Sequence, residues 1–195
     1  MIKSSKIAQK EVIKDKIYRA FPDKISCLES SFILDKNPDN LSSEKKLVLR
    51  FFKDKSWKTI SLESIIAVNN TPLICFNEKA FNYYLPAYMV LIIDYYDDFS
   101  GFLPVDSLIN ELTPHKHLSS IESPNDDYLH RKKRFEGLQK LTKQQKECVK
   151  LFLEFMNKEY SEDFFDKDYS FGEIEESSYI LPSPALALEL YWTKA

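Results

Sequence analysis

Thirteen consecutive residues, Phe81 to Ile93, include only one side chain, Asn82, that is neither apolar nor aromatic. A helix on the surface of a fold is apolar along one stripe; one that is apolar on every side belongs in the middle. The run is too short for a bilayer, which needs about 20 apolar residues. The hydroxyls of Tyr83, Tyr84 and Tyr88 would also find no partner in hydrocarbon. Asp94 closes the run. Pro86 inside it has no amide and clashes with the carbonyl four residues back, so a kink or a break is expected just before it.

Around this segment the chain offers 195 residues, enough for one domain with a core of ordinary size. Residues 1–195 are therefore expected to form a single compact multi-helix domain, mostly α, with a kinked central helix at Pro86. The 44% hydrophobic content excludes disorder, and the 29% of charged residues excludes a chain buried in membrane. A net charge of −3 gives no overall pull toward nucleic acid. Cys27, Cys75 and Cys148 are odd in number, far apart and set among apolar residues, as reduced core thiols are. After Met1–Lys6 the chain continues into Lys, Glu and Asp rather than an apolar stretch, so a secretory signal is not expected and a cytoplasmic location is. Gly101, Gly137 and Gly172 are the only glycines, and no two are closer than 35 residues. Phosphate-cradling loops need clustered glycines whose bare backbone approaches the ligand, so P-loop and dinucleotide sites are excluded.

The rest of the chain reads as helices. Ile7, Val12, Ile13, Ile17 and Phe21 mark a first helix from Lys6 to Phe21, closed by Pro22. Glu44 to Phe52 is a shorter helix or an extended segment, followed by Trp57. Ser61 is placed to cap Leu62–Val68, and Asn77 to cap the central helix. Pro104 starts a helix with Leu108, Ile109 and Leu112 on one face, and Pro114 ends it. Residues 115–134, rich in His, Ser and Asp, are expected to be an exposed loop. Thr142 and Gln145 form a capping-box pattern ahead of Cys148, Leu151, Phe152, Phe155 and Met156. Residues 159–182, acidic and aromatic by turns, are expected to be irregular. Ser183-Pro184 opens a last helix to Trp192, with proline at the first position, where it is tolerated.

Charge is segregated. Residues 130–146 hold Arg131, Lys132, Lys133, Arg134, Lys140, Lys143 and Lys146 against Glu136. Residues 154–176 hold nine acids against Lys158 and Lys167. The basic run can bind phosphates, but it can equally be a solvated face or pair within the chain. Nucleic-acid binding through residues 131–146 therefore stands as an alternative that the acidic neighbour disfavours.

Catalytic constellations are weak. His115 and His117 with Asp106 or Asp126 are permissive metal spacing with no supporting motif, and neither a metal nor a cofactor is expected. Cys75 or Cys148 near His117 or His130 would be a nucleophile only if its thiolate were favoured, and both sit among apolar residues. Asp94, Asp97 and Asp98 form a carboxylate cluster at a helix end, which also simply marks where the helix meets water. An enzyme built on these Asp or His clusters is a second alternative.

Trp57, the Leu62–Val68 helix, Phe76, the element Tyr83-Tyr84-Leu85-Pro86-Ala87-Tyr88, and Leu141-Thr142 with Gln145, Val149, Phe152 and Leu153 together resemble a bacterial family of uncharacterised proteins. The resemblance runs from the first helix to about Tyr160. It implies a cytosolic, mostly helical bacterial protein and supplies no activity for any residue. The residues themselves favour a non-catalytic protein-binding domain, for instance an immunity or inhibitor protein that neutralises a basic toxin domain. Tyrosines commonly anchor such contacts. The expected partner face comprises Tyr95, Tyr96, Asp97, Asp98, Glu162, Asp163, Asp166, Asp168, Glu173, Glu175 and Glu176.

Overall fold

The computed structural model describes residues 2–23, 42–68, 72–99, 103–114, 126–166 and 183–195. Among them there are helices and turns and no strand. The helices are α1 (Ile2–Ala20), α2 (Ser43–Phe52), α3 (Leu62–Ala67), α4 (Pro72–Cys75), α5 (Glu78–Phe99), α6 (Leu103–Leu112), α7 (Asp126–Gln139), α8 (Lys143–Asp166) and α9 (Pro184–Ala187). A short 3-10 turn, Trp57–Thr59, follows α2, and α9 runs on into a π turn, Leu188–Trp192. None of the helices is long and apolar enough to cross a membrane.

The apolar run makes α5 the axis of the fold. It packs against α1, α6, α7 and α8 and against the 3-10 turn. Phe81, Tyr84, Leu85, Tyr88, Met89, Ile92 and Ile93 are all buried. Burying Tyr84 is made tolerable by its hydroxyl, which donates to the carbonyls of Phe52 (2.5 Å) and Lys55 (3.1 Å) beyond the end of α2. The Tyr88 hydroxyl is also buried and has no hydrogen-bond partner among the described residues. Burial pushes its pKa well above the ordinary phenol value, and the nearby Cys75 adds to the shift.

Pro86 lies inside α5, and the backbone stays helical on both sides of it. The dihedrals leave the helical region at Tyr95 (φ −117°, ψ 25°), after the apolar run has ended. The break that the dihedrals record thus lies well past Pro86. There Asp94 is drawn to Lys14 of α1 at 2.6 Å, Tyr95 faces outward and Tyr96 turns into the core.

Local capping follows the sequence closely. Ser61 Oγ accepts from the Ser64 amide (3.3 Å), and Asn77 Oδ1 from the Ala80 amide (3.0 Å). The Thr142 amide donates to Gln145 Oε1 (3.0 Å) while the Gln145 amide donates to Thr142 Oγ1 (3.3 Å). This reciprocal pair satisfies two amides at the start of α8. Ser183 Oγ accepts from the Leu186 amide (3.1 Å), with Pro184 next to it at the first helical position.

Two expectations are corrected. Of the loop placed at 115–134, residues 126–134 belong to α7, and 115–125 lie outside the described residues. Of the irregular segment placed at 159–182, residues 159–166 complete α8. α7 was hidden because its inward face carries Arg134 beside Phe135 and Leu138, so a buried position reads in sequence as surface charge. It also approaches α5 closely at Gly137, where a Cβ would overlap Glu78 Cγ.

Candidate functional site

The basic run of residues 131–146 does not form one surface. Arg134, only 4% exposed, forks onto Glu111 of α6, with Nε to Oε2 at 2.9 Å and Nη2 to Oε1 at 2.7 Å. Its Nη1 donates to the carbonyls of Ile74 (3.5 Å) and Phe76 (3.4 Å), between α4 and α5. Arg131 donates to the Asn110 carbonyl, and Lys140 pairs with Glu78 at 2.8 Å. The Leu112 carbonyl takes the Trp192 indole N–H (2.8 Å), and that of Ile109 takes the Thr113 hydroxyl (2.7 Å). Three of the last carbonyls of α6, which have no partner within their own helix, are thereby taken up by Thr113 just beyond the helix, Arg131 of α7 and Trp192 of the C-terminal turn. This end of the fold is a clamp built around a buried ion pair.

The opposite seam, between α1 and α8, is open. Ala8, Gln9, Val12, Ile13, Lys16, Leu151 and Glu154 line one stretch of it, with a volume of about 300 Å³. Lys16, Arg19, Ala20, Lys143, Gln144, Glu147 and Cys148 line the next, of about 630 Å³. The two share Lys16 and follow one another along the antiparallel helices. On both helices the lining residues recur every three or four positions, so each contributes one face. Ile13 and Cys148 are buried in the floor, with Leu151 and Ala20 half-buried beside them; Val12, Lys16, Arg19, Lys143, Gln144, Glu147 and Glu154 stand at the rim.

Elementary contacts explain why the seam opens at one end. Toward the start of α1, Lys6 pairs with Glu159, and Lys10 lies over the Phe155 ring at 5.9 Å. In the middle, Lys14 bridges Glu11 (2.7 Å) and Asp94 (2.6 Å). Partial burial pulls the Lys14 pKa down, but the hydrogen bonds to the two carboxylates outweigh it and leave it raised. These contacts tie α1 to α8 and α5. Beyond them the floor narrows to Ala20 and Cys148, small side chains that leave room.

Other sequence candidates are placed as follows. Tyr95 is 40% exposed and Tyr96 6%, so only the first presents its ring outward. Asp97 and Asp98 lie in the last turn of α5, and Glu162, Asp163 and Asp166 in the last turns of α8. Asp168, Glu173, Glu175 and Glu176 lie outside the described residues, as do His115, His117 and Cys27. Among the described residues no three His, Cys, Asp or Glu side chains are grouped so as to hold a metal ion. Burial raises the Cys75 thiol and pushes Cys148 up to about 11, the latter against a small opposing pull from Lys16. Both thiols stay protonated near neutrality, the inert state of a buried cysteine.

The groove itself escaped the sequence reading. Its signal was there: Val12 does not fit the stripe of Ile13, Ile17 and Phe21, since neighbours on a helix point about 100° apart. It is 56% exposed and lines the groove.

Fold and site together define an all-helical domain with a closed polar clamp on one side and an open apolar groove on another. Residues 11–195 match DUF6714, a family of unknown function, and the chain belongs to that family. The match includes the stretch after Tyr160 that the sequence resemblance left out. No curated protein and no solved structure matches the chain.

Proposed function

We propose that this is a non-catalytic protein-binding domain and that the groove between α1 and α8 is its binding face. The observation that carries the reading is the groove's construction: two antiparallel helices present parallel stripes, with an apolar floor and a charged rim. That is the form into which a further helix packs. Val12 stands exposed there beside half-buried Leu151 and Ala20. The toxin-neutralising role expected from the acidic face is a narrower version of the same proposal. It draws on Tyr95 and on acids whose side chains lie outside the described residues, and it is not needed for the groove to bind a protein.

The test compares capture by the tagged full chain, from its source cells, with capture by Val12→Asp in the groove and by Leu129→Asp on α7. Leu129 is 45% exposed and is not among the residues that line the groove, so it controls for loss of exposed apolar surface as such. A partner retained by the wild type and Leu129→Asp but lost by Val12→Asp supports the reading. A partner retained by all three contradicts it.

A further inference from the structure

We propose that the occupant of the α1–α8 groove is an amphipathic helix flanked by acidic residues, an inference that rests on the groove being the binding face. Three observations converge on it. The first is shape. The lining on α1 runs from Ala8 to Ala20, a rise of roughly 18 Å, which accommodates about three turns of an incoming helix. Both stretches of the groove are open to solvent, as an incoming rod requires.

The second is the floor. Ile13, Leu151, Ala20 and Cys148 offer apolar surface in helical register, and Val12 stands beside them. An apolar stripe at three-to-four spacing is the complement of that surface.

The third is charge. The chain as a whole carries 27 basic and 30 acidic residues. α1 reverses that balance with Lys3, Lys6, Lys10, Lys14, Lys16 and Arg19 against Glu11 and Asp15. The first two turns of α8 add Lys143, Lys146 and Lys150 against Glu147. At the roomier end, Lys16, Arg19 and Lys143 surround the opening and Glu147 is the single acid among the lining residues. Asp15 lies 3.5 Å from Arg19 and offsets part of its charge, so Lys16 and Lys143 carry most of the positive rim at this end. Toward Glu154 the rim charges balance, and at the roomier end the excess of positive charge around an apolar floor favours an acidic partner over a basic one.

The experiment uses the full chain, isotopically labelled, and two synthetic peptides of about 12 residues. Both peptides carry the same leucine stripe; one is flanked by Glu and the other by Lys. Backbone amide spectra report where each binds, and titrations report how tightly. The Glu-flanked peptide is expected to shift amides of α1 and the first half of α8, and to bind at least about tenfold more tightly than the Lys-flanked one at low salt, a preference that shrinks as salt rises. The double charge reversal Lys16→Glu/Lys143→Glu, at two exposed positions, is expected to invert the preference while leaving the circular dichroism spectrum unchanged. Equal binding of the two peptides at α1 and α8, or a preference for the Lys-flanked one, would overturn the acidic assignment and leave the groove standing as a binding face. Failure of both peptides to move amides of α1 and α8 would overturn the proposal together with the reading it rests on.

Discussion

Two seams of this bundle solve the same problem in opposite ways. Between α6 and α7, the fold buries Arg134 and Glu111, satisfies both from side chains and carbonyls, and closes the end of α6 with Arg131, Thr113 and Trp192. Between α1 and α8, it leaves Val12 exposed above a largely apolar floor, with charges standing around it and crossing the seam only toward the start of α1, at Lys6–Glu159 and Lys10–Phe155. A buried ion pair is costly to assemble and worse to break, since removing one partner strands the other in a dry interior. An exposed valine contributes little to folding. The difference teaches where stability and function are separated: the closed seam holds the helices, and the open one is available to a partner.

The comparison can be strained from either side. The largest effect is expected at the closed seam, where Glu111→Leu leaves Arg134 uncompensated and lowers stability by about 3–5 kcal/mol in urea unfolding. The double variant Glu111→Leu/Arg134→Met is expected to recover most of that loss. A single variant as stable as the wild type would show that the pair does not hold the seam.

Next is the groove floor at alkaline pH. The Cys148 thiol is raised from 9.0 to about 11 in the folded protein, mainly by burial. A raised acid favours the folded state fully below pH 9, and the benefit is lost as pH climbs toward 11, because the unfolded thiol ionises first. Cys148→Ala is expected to show a shallower fall across that window, by on the order of 1–2 kcal/mol once solvent screening is allowed for. Parallel curves for the two proteins would contradict the burial of this thiol.

Thr142→Ala removes the hydroxyl of the reciprocal cap at the start of α8 and is expected to cost about 1 kcal/mol by the same unfolding measurement. Smallest is Val12→Asp in the open seam, expected to change stability by no more than about 0.5 kcal/mol while abolishing partner capture. A large loss of stability there would mean that the groove is part of the core.

What the sequence made legible follows from how local each signal is. The central helix needed only its own residues, since a run that is apolar all round has nowhere to go but inside. Ser61, Asn77, the Thr142/Gln145 box and Ser183-Pro184 act within one turn, and each caps where expected. α7 was not legible, because the residue that turns its face inward is Arg134, and its partner Glu111 lies in another helix. The basic run looked like one patch for the same reason. The groove depends on how far α8 covers α1, a tertiary fact; the off-stripe position of Val12 was its trace in the chain. Tyr95 and Tyr96 looked equivalent, but neighbours on a helix point about 100° apart, and one ring is exposed while the other is buried.

The most direct measurement is photo-crosslinking in the source cells with a photoreactive residue placed, one at a time, at Val12, Tyr95 and Leu129. All three are exposed apolar positions, at 56%, 40% and 45%, and only Val12 lines the groove. The account predicts one defined protein adduct from Val12 and none of that mass from the other two. The same adduct from Tyr95 or Leu129, with none from Val12, would contradict it.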